Sequence, residues 1–496
     1  DDVARDRGLK WYLMYFTVFF RKRHGTRVGS SRPRGYFGGQ GGRVGDDALD
    51  RRFQHWNDGR RDALYRQWRR EYDEALESRL GGMPVTEETP EERRERQLPK
   101  ILNQIEDGEI SRALRMLHSS GVAALTPGVI EQLRSKHPRR RTAMPAAFSR
   151  QVDRLEVSME ETFRRLKPRR GVGPSGRHNE YLTALVGHFD DPRAAVVMQR
   201  YDAFASAFVN SELPSWFYVV EAAARLQPLV KAAATTPGGD PDVRPVAVGE
   251  VDTCAFTKAA YAGFTHTAFA EYLAPQQLAV GIPGGLSILV HGVRALLRMR
   301  PDFVVVRLDL RNAYNEIDRA VLLERMAAVE QLGPLAKFFH TMHAAESPLY
   351  LGNRTRLFGG VDGHAGDSAA GVRQGSVESS AAFCVGIHPE LVTLHGRLLG
   401  AGGGAWGDMD DIYAVGPARQ VFEAVHEFTV AVGDGATAAD RGLGLVLRPE
   451  KLQCYSPGYD LEHCPFRLRL ASPQLLGRVP PIAYFEVVAS EDCGRR

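Results

Sequence analysis

Cysteine is scarce in this sequence, and its spacing excludes the common zinc-finger arrangements. The 496 residues contain five cysteines, at positions 254, 384, 454, 464 and 493, and none belongs to a C-x-x-C pair. An odd number of scattered thiols is typical of a reduced, intracellular protein rather than of a secreted disulfide scaffold. One alternative stays open, in which Cys464 and the neighbouring His463 bind a metal together with distant ligands.

Long apolar runs are also missing. The longest aromatic and apolar stretch, WYLMYFTVFF at 11–20, is shorter than the roughly 20 residues that a membrane-spanning helix needs. It follows a charged start and carries no small-residue cleavage site, so we predict neither a transmembrane segment nor a secretory signal. Because the chain begins with Asp1 rather than methionine, we expect a fragment or a processed product.

Neither sign of charge dominates the chain as a whole. Lys and Arg number 64 against 60 Asp and Glu, the formal net charge is +4, and 43% of the residues are hydrophobic. This hydrophobic content is enough for at least one large buried core and argues against wholesale disorder. No internal repeat of fixed period is present.

Helical patterns at 194–209 and 287–300 and strand-like runs at 303–310 and 411–416 indicate an α/β or α+β core across about 215–455. Further upstream, Pro90 follows Thr89 in a pattern that predicts the start of a helix. We divide the chain into a polar, basic, partly disordered region at 1–100, a helical basic extension at 101–214, a core at 215–470 and a truncated tail at 471–496.

Positive charge is concentrated between residues 134 and 170. This basic tract contains twelve Lys or Arg and four acidic residues, so its net charge is 12 − 4 = +8, twice that of the whole chain. We interpret the basic tract as a track for a nucleic-acid backbone, and the alternative is a solvated face without function. Its candidate nucleic-acid contacts are Arg139, Arg140, Arg141, Arg164, Arg165, Lys167, Arg169 and Arg170.

One carboxylate follows a strongly predicted strand. The β-branched run Val304 to Val306 predicts a buried strand that ends close to Asp309, and Asp318 then begins a helix. A carboxylate at the end of a core strand is a rigid position for a metal ligand. Taken alone, Asp309 is weak evidence for a metal site, since an Asp that ends a strand is more often a turn or cap residue.

Three more carboxylates stand close together at 408–411. Asp408, Asp410 and Asp411 would repel one another if ionised without a counterion. A hairpin turn there could bring Asp410 and Asp411 beside Asp309, and such an oxygen-rich site suits Mg²⁺. The alternative is an exposed acidic turn.

Four segments occur in the order found in reverse transcriptases. DLRNAYNEID, GVRQGSVESSAAFC, DMDDIYAVG and LGLVLRPEK resemble motifs A, B, C and D of that family, and they occupy 309–318, 371–384, 408–416 and 443–451. Three earlier segments resemble the family's elements before motif A, namely 173–182, 243–250 and 280–297. Over about 105–455 the chain therefore resembles reverse transcriptases of site-specific non-LTR retrotransposons, with a pattern that suits elements of the trypanosomatid type.

The resemblance implies a metal centre of two Mg²⁺ ions, with Mn²⁺ as the alternative ion. Asp309 of motif A and the motif C pair Asp410 and Asp411 are its implied catalytic metal ligands, and the carbonyl of Leu310 is an additional contact. Tyr314 occupies the position of the steric gate, an aromatic ring that excludes a 2′-hydroxyl and selects dNTPs. The alternative for Tyr314 is a core aromatic.

The other implied roles concern the incoming nucleotide. Gln374 and Gly375 match the motif B pair that lies against the nucleotide and template, the glycine allowing close backbone approach. Arginines at the triphosphate would use planar, bidentate donors, and Lys451 would act as general acid for the pyrophosphate leaving group. The implied phosphate contacts are Arg244, the weaker candidate Lys231, and Arg373, for which a solvated arginine is the alternative.

The implied fold is α+β, a right-hand polymerase with palm and fingers and a basic helical extension. Only about 45 residues follow motif D, so we expect the thumb to be missing or incomplete and the downstream endonuclease to be absent. The expected partners are an RNA template, a DNA primer and dNTPs, and the expected location is nuclear. No membrane association is expected.

Two other functions remain open from the sequence. A catalytically inactive retroelement remnant that binds RNA is favoured by the missing thumb and by Asp408, where the family has an aromatic or small residue. An RNA-dependent RNA polymerase would share the palm, but Tyr314 argues against it because that class needs room for the 2′-hydroxyl.

Overall fold

The computed structural model describes most of the core and part of the N-terminal region. The described residues are 2–19, parts of 52–70, 90–186, 192–351, 364–433, 441–458, 467–470 and 485–488, with short gaps inside these ranges. Several predictions fall outside the described residues, among them Thr89, Arg169, the alternative metal pair His463 and Cys464, and most of 1–89 and 471–496.

Residues 1–121 and 175–177 form one compact unit. Its longer helices are Asp2–Phe19, Pro90–Glu106 and Ile110–His118. The second of them begins at Pro90 as predicted, because the fixed φ of proline suits the first helical position. No helix in the described part of the chain has both the length and the apolar character needed to cross a membrane.

Residues 122–174 and 178–496 form the second unit, which has the predicted mixture of helices and β-sheets. The α+β class is therefore confirmed. Its helices are Pro127–Ser135, Glu160–Arg164, Asn179–Val186, Pro192–Val209, Ser215–Glu221, Val251–Phe264, Ala270–Leu273, Gly285–Met299, Ala313–Glu316, Arg319–Ala328, Gly333–His343, Ser379–Leu399 and Ala418–Val432, with a π-helical turn at Thr265–Phe269 and a 3₁₀ turn at Glu330–Leu332.

The strands of this unit form two sheets. Sequential numbering gives β1 Ala224–Ala232, β2 Asp242–Gly249, β3 Phe303–Leu308, β4 Ser347–Leu351, β5 His364–Ser368, β6 Gly404–Asp408, β7 Asp411–Pro417, β8 Leu452–Tyr455, β9 Arg467–Leu470 and β10 Phe485–Val488. One sheet has the order β2-β1-β4-β5 and the other β6-β7-β3-β8-β10-β9. In the six-stranded sheet β3 is antiparallel to both of its neighbours, β7 and β8.

Strand β3 forms where its sequence predicts, and its alternation explains its place inside the larger sheet. Val304, Val306 and Leu308 are at most 2% exposed and share one face, since side chains two residues apart in a strand point the same way. Helix Ala418–Val432 contacts β3 and β7. The predicted strand at 411–416 is also confirmed, as β7.

The four-stranded sheet is covered by a segment that the sequence assigns to the helical basic extension. Helix Pro127–Ser135 is capped by Thr126, whose hydroxyl accepts from the Val129 N–H at 3.1 Å, and it buries Val129 and Leu133 completely against β1 and β2. Two fully buried aliphatic side chains contribute about 3–6 kcal/mol of apolar burial. Residues 122–174 therefore belong with the second unit, whereas the sequence placed a boundary after residue 214.

Candidate active site

Asp309 directly follows the end of β3, beside the chain that carries the motif D residues. Leu308 pairs with Ile412 of β7, so Asp309 is level with the start of that neighbouring strand. Its carbonyl accepts from the Arg448 N–H at 2.9 Å, and the Arg448 Nε lies 3.9 Å from its carboxylate. The next residue, Leu310, is buried and forms a bridge with Leu447.

A tight hairpin holds the motif C acids. Strands β6 and β7 pair up to Asp408 and Asp411, leaving Met409 and Asp410 in the turn. Met409 has a φ of 61°, a left-handed conformation that a non-glycine residue adopts only when neighbouring groups hold it. The predicted turn is confirmed, with Asp411 as the first residue of β7 rather than at the tip.

Gln277 supports this turn, and the sequence did not single it out. The side chain is fully buried; its Oε1 accepts from the Met409 N–H at 2.9 Å and its Nε2 donates to the Met409 carbonyl at 3.0 Å. The adjoining backbone adds two bonds, from the Gly407 N–H to Gln276 and from the Leu278 N–H to Gly407. One amide thus satisfies both backbone groups of the strained residue beside Asp410, so Gln277 is a positioning residue.

The Asp410 carboxyl lies in a negative environment. Burial raises its pKa, and the nearby Asp411 and Asp309 charges raise it further, while Arg244 opposes them. Burial followed by the Asp411 charge also raises the pKa of Asp408. The acids predicted to converge therefore lie close enough to repel one another, and the positive charge of Arg244 on β2 acts on Asp410.

Asp411 has a basic partner that the sequence analysis missed. Its Oδ1 lies 2.7 Å from the Arg307 Nη2 and 3.2 Å from the Arg307 Nε. In the antiparallel pairing of β3 and β7, Arg307 is opposite Tyr413, so Asp411, two residues from Tyr413, lies on the same face of the sheet. The positive charge of Arg307 compensates the negative charge of Asp411. Asp309 and Asp410 are therefore the less compensated acids.

The ligand expected at this centre is a divalent metal ion. Within the described residues, the His, Cys, Asp and Glu side chains form no group of three close enough together to hold a metal ion. The two less compensated acids, Asp309 and Asp410, are nevertheless carboxylate donors whose mutual repulsion a cation would relieve, and hard oxygen ligands suit Mg²⁺. Carboxylates are suitable ligands for this ion, but two rather than three of them are available at the centre.

Tyr314 lies next to the acids and packs on a motif B residue. Its ring is stacked on Phe383 with centroids 4.9 Å apart, and its hydroxyl is 3.5 Å from the Ser380 hydroxyl. Burial raises the pKa of the phenol, and the Asp410 and Asp408 charges add to the effect. The ring is half-buried, so it is packed on one side and still beside Asp410.

The motif B loop touches both motif A and strand β2. Gly371 and Gly375 have φ values of 57° and 111°, and a Cβ at either position would clash with backbone, that of Tyr314 or of Ala247 respectively. The Ala247 N–H donates to the Gln374 carbonyl at 2.8 Å. The absence of a side chain at Gly375 is thus required by the backbone of β2, and the predicted approach to a nucleotide stays a prediction.

Arg373 is not at the surface, which corrects both interpretations of this residue. Its side chain is 3% exposed and donates to the Ala222 carbonyl, and the Glu378 carboxylate lies nearby. Burial lowers its pKa, and Glu378 opposes the shift. An arginine enclosed in this way can contact neither solvent nor a substrate phosphate; it fixes the motif B loop instead.

Basic side chains surround the acids on the side of β1 and motif D. Partial burial lowers the pKa of Lys231, and the adjacent Lys451 and Arg448 charges lower it further, with Asp242 opposing. Lys231 and Lys451 therefore lie near each other although they are far apart in sequence. Arg448 was missed by the sequence analysis, although it lies in the quoted motif D segment.

Part of the basic tract stabilises the fold. Arg140 donates to the carbonyls of Ala344 at 3.0 Å and Ala369 at 3.2 Å, so it anchors the chain before motif B rather than offering its charge to a nucleic acid. Arg319, 1% exposed, donates to the Ala370 and Gly371 carbonyls of the same loop. The prediction that Arg140 contacts nucleic acid is thus corrected by its geometry.

The remaining tract residues divide into two groups. Arg164 and Arg165 form ion pairs with Glu160 and Glu161 one helical turn away, at 2.8 and 2.5 Å. Such exposed pairs contribute little stability, about 0.3–0.5 kcal/mol, and do not prevent a contact with phosphate. The other exposed basic side chains of the prediction are Arg139, Arg141, Lys167 and Arg170.

Comparisons with known proteins do not assign the chain to a family. No protein-family model matches it, and no curated protein matches it at a significant level. The functional assignment below therefore rests on the residues and their arrangement.

Replacing Gln277 by leucine is expected to loosen the β6–β7 turn. Leucine keeps most of the volume but leaves the N–H and carbonyl of Met409 without partners, at a cost of about 1–3 kcal/mol for each buried group. Hydrogen exchange of the peptide spanning 405–413, measured by mass spectrometry, should become faster by roughly tenfold or more.

Gln276→Leu is the matched control. Among the described residues the Gln276 side chain makes no hydrogen bond, and only its backbone carbonyl supports the hairpin. Equal exchange rates in the two variants would show that the Gln277 amide does not hold the turn.

Proposed function

We propose that the chain is an RNA-directed DNA polymerase in which the second unit supplies palm and fingers. The observation that carries the proposal is the convergence at one place of Asp309, Asp410 and Tyr314, from separate segments of the chain, with Arg244 of β2. Few functions need two partly uncompensated carboxylates, an aromatic floor and an arginine together. Nucleotidyl transfer to a primer uses the carboxylates and the arginine, and selection of dNTPs uses the aromatic ring.

Asp309 and Asp410 are the proposed metal ligands, with the carbonyl of Leu310 as a further oxygen donor. Two Mg²⁺ ions held there, or Mn²⁺ in their place, would supply activation of the primer 3′-hydroxyl and neutralisation of the pyrophosphate. Asp411 contributes negative charge to this centre and is oriented by Arg307. Gln277 keeps Asp410 aimed at Asp309 by holding Met409.

The incoming nucleotide is proposed to lie between Tyr314 and the basic residues. Arg244 and Lys231 bind triphosphate oxygens, while Lys451 is placed to protonate the leaving pyrophosphate. Gln374 and Gly375 border the nucleotide from motif B. The ring of Tyr314, held by Phe383, forms the surface under the sugar and excludes a 2′-hydroxyl.

The proposed partners are an RNA template and a DNA primer. A hybrid duplex of A-like geometry is held through phosphates and sugars rather than through base edges. The exposed tract residues Arg164, Arg165, Lys167 and Arg170 provide such contacts, so binding should weaken as salt concentration rises. We also propose a nuclear location, because chromosomal DNA would be the target.

Primer extension on an RNA template tests the activity. The full chain should incorporate dNTPs in the presence of Mg²⁺, and Asp410→Asn should reduce the rate by at least about 10³-fold, because loss of a metal-holding charge removes several kcal/mol of transition-state stabilisation. Product length on a denaturing gel measures the outcome.

Asp302→Asn is the control, since it removes a carboxylate at the opposite end of β3 that pairs with Arg300 on the surface. It should leave extension unchanged. RNA binding without any extension by the wild-type chain would contradict the proposal and favour the inactive RNA-binding remnant.

The proposed role of Tyr314 predicts a change in sugar selectivity. Tyr314→Ala removes the ring beneath the sugar, so use of ribonucleotides relative to deoxynucleotides should rise by roughly tenfold or more. Tyr314→Phe retains the ring and should keep the dNTP preference. Competition assays with paired dNTP and rNTP substrates measure the ratio; an unchanged ratio in Tyr314→Ala would refute the role.

A further inference from the structure

A basic cleft lies beside the candidate active site. It has a volume of about 520 Å³ and is bordered by residues from the segment 135–141, by residues 311, 312 and 316 within motif A, and by residues 444 and 448. Its charged lining residues are Lys136, Arg139, Arg141, Arg311, Arg448 and Glu316. Five basic residues against one acidic residue give 5 − 1 = +4, so the cleft is suited to an anion.

The walls of this basic cleft are fixed by hydrogen bonds. The Asn312 side chain donates to the Lys136 carbonyl at 2.9 Å, and the Arg311 N–H donates to the Val446 carbonyl at 2.8 Å. Asn312 itself has a φ of 46°, and the Arg141 guanidinium lies against Gly444, where a Cβ would clash with it. A concave and preformed site of this kind needs little reorganisation to bind a small ligand.

The acidic groups in and near the cleft do not cancel its charge. Glu316 pairs with Arg311 at 3.1 Å, and Asp242 pairs with Lys136 at 2.6 Å. Arg139 is exposed, and Arg448 is only loosely paired with Asp309, at 3.9 Å. Positive charge therefore remains after both internal ion pairs are counted.

The size and position of the cleft favour a short phosphate chain. The cleft is open to solvent on one side, and its volume of about 520 Å³ leaves room for a diphosphate. Arg448 belongs both to the cleft lining and to the surroundings of Asp309, so the cleft adjoins the place where a diphosphate would be released. Arginine forks match phosphate oxygens in bidentate geometry.

We propose that this basic cleft is a diphosphate-binding site, separate from the Arg244 and Lys231 contacts. The inference rests on the proposed function, which supplies the two sources of such a group: the triphosphate of an entering nucleotide and the pyrophosphate released by extension. Arg139 and Arg141 hold the phosphates from the tract side, and Arg311 and Arg448 hold them from the palm side.

The test is calorimetric titration of inorganic pyrophosphate into the full chain without primer or template. The double variant Arg139→Gln, Arg141→Gln should bind pyrophosphate at least about tenfold more weakly, because two charge-assisted contacts are lost. Glu316→Gln should bind it more tightly, since the single acidic group of the lining is removed. Arg419→Gln, on helix Ala418–Val432 and outside the cleft, should bind as the wild type does.

Several outcomes would overturn the proposal. Equal affinity in the double variant and the wild type would do so, provided that the circular dichroism and melting temperature of the two agree. Loss of pyrophosphate binding only on Arg244→Gln would assign the site to the catalytic centre. Displacement by short single-stranded RNA, with no binding of pyrophosphate, would make the cleft an RNA contact instead.

Two further measurements separate the sources and the two proposals. A non-hydrolysable deoxynucleoside triphosphate that competes with pyrophosphate supports entry through the cleft, and failure to compete supports a site for the released product. Pyrophosphate binding needs no polymerase activity, so a chain that binds it but does not extend primers would contradict the proposed function alone. If the wild-type chain extended primers and the double variant bound pyrophosphate as the wild type does, only the proposal for the cleft would be contradicted.

Discussion

Repulsion among carboxylates at the end of β3 and in the β6–β7 turn is the constraint on which this site depends. Asp410 is partly buried near the Asp309 and Asp411 charges, and the basic groups around these acids reduce the cost of their repulsion. Arg307 pairs with Asp411, Arg448 approaches Asp309, and the charge of Arg244 on β2 opposes the rise in the pKa of Asp410. The remaining uncompensated charge is where we propose that divalent cations bind.

A second feature is that arginines hold the chain in place around this centre. Arg319 and Arg140 donate to carbonyls of the segment before motif B, and Arg373 is enclosed behind it. Together they fix the loop that places Gly371 against Tyr314 and Gly375 against β2. The basic tract thus has two parts, one that fastens the fold and one, at Arg139 and Arg141, that faces a cleft.

Local patterns predicted much of the fold and of the candidate site. Strand β3, the β6–β7 hairpin, the helix at 194–209 and the N-cap at Asp318 depend on neighbouring residues, and the sequence alone was sufficient for them. Gln277 could not be predicted in this way, because it is 132 residues from the turn that it holds and no local pattern marks it. Likewise, nothing in the composition of the basic tract distinguishes the anchored Arg140 from the exposed Arg139. The grouping of residues 122–174 with the core could not be predicted for a similar reason, because the residues that bury helix Pro127–Ser135 come from β1 and β2 far along the chain.

The most direct test of the account is whether the site binds divalent cations through Asp309 and Asp410. Electron paramagnetic resonance of Mn²⁺ titrated into the full chain measures this without any substrate. The account predicts saturable binding that weakens by at least about tenfold in Asp410→Asn and in Asp309→Asn, since each removes a charged oxygen ligand. The control Asp302→Asn should bind as the wild type does. Mn²⁺ binding that is absent in the wild-type chain, or that is equal in wild type and Asp410→Asn, would contradict it.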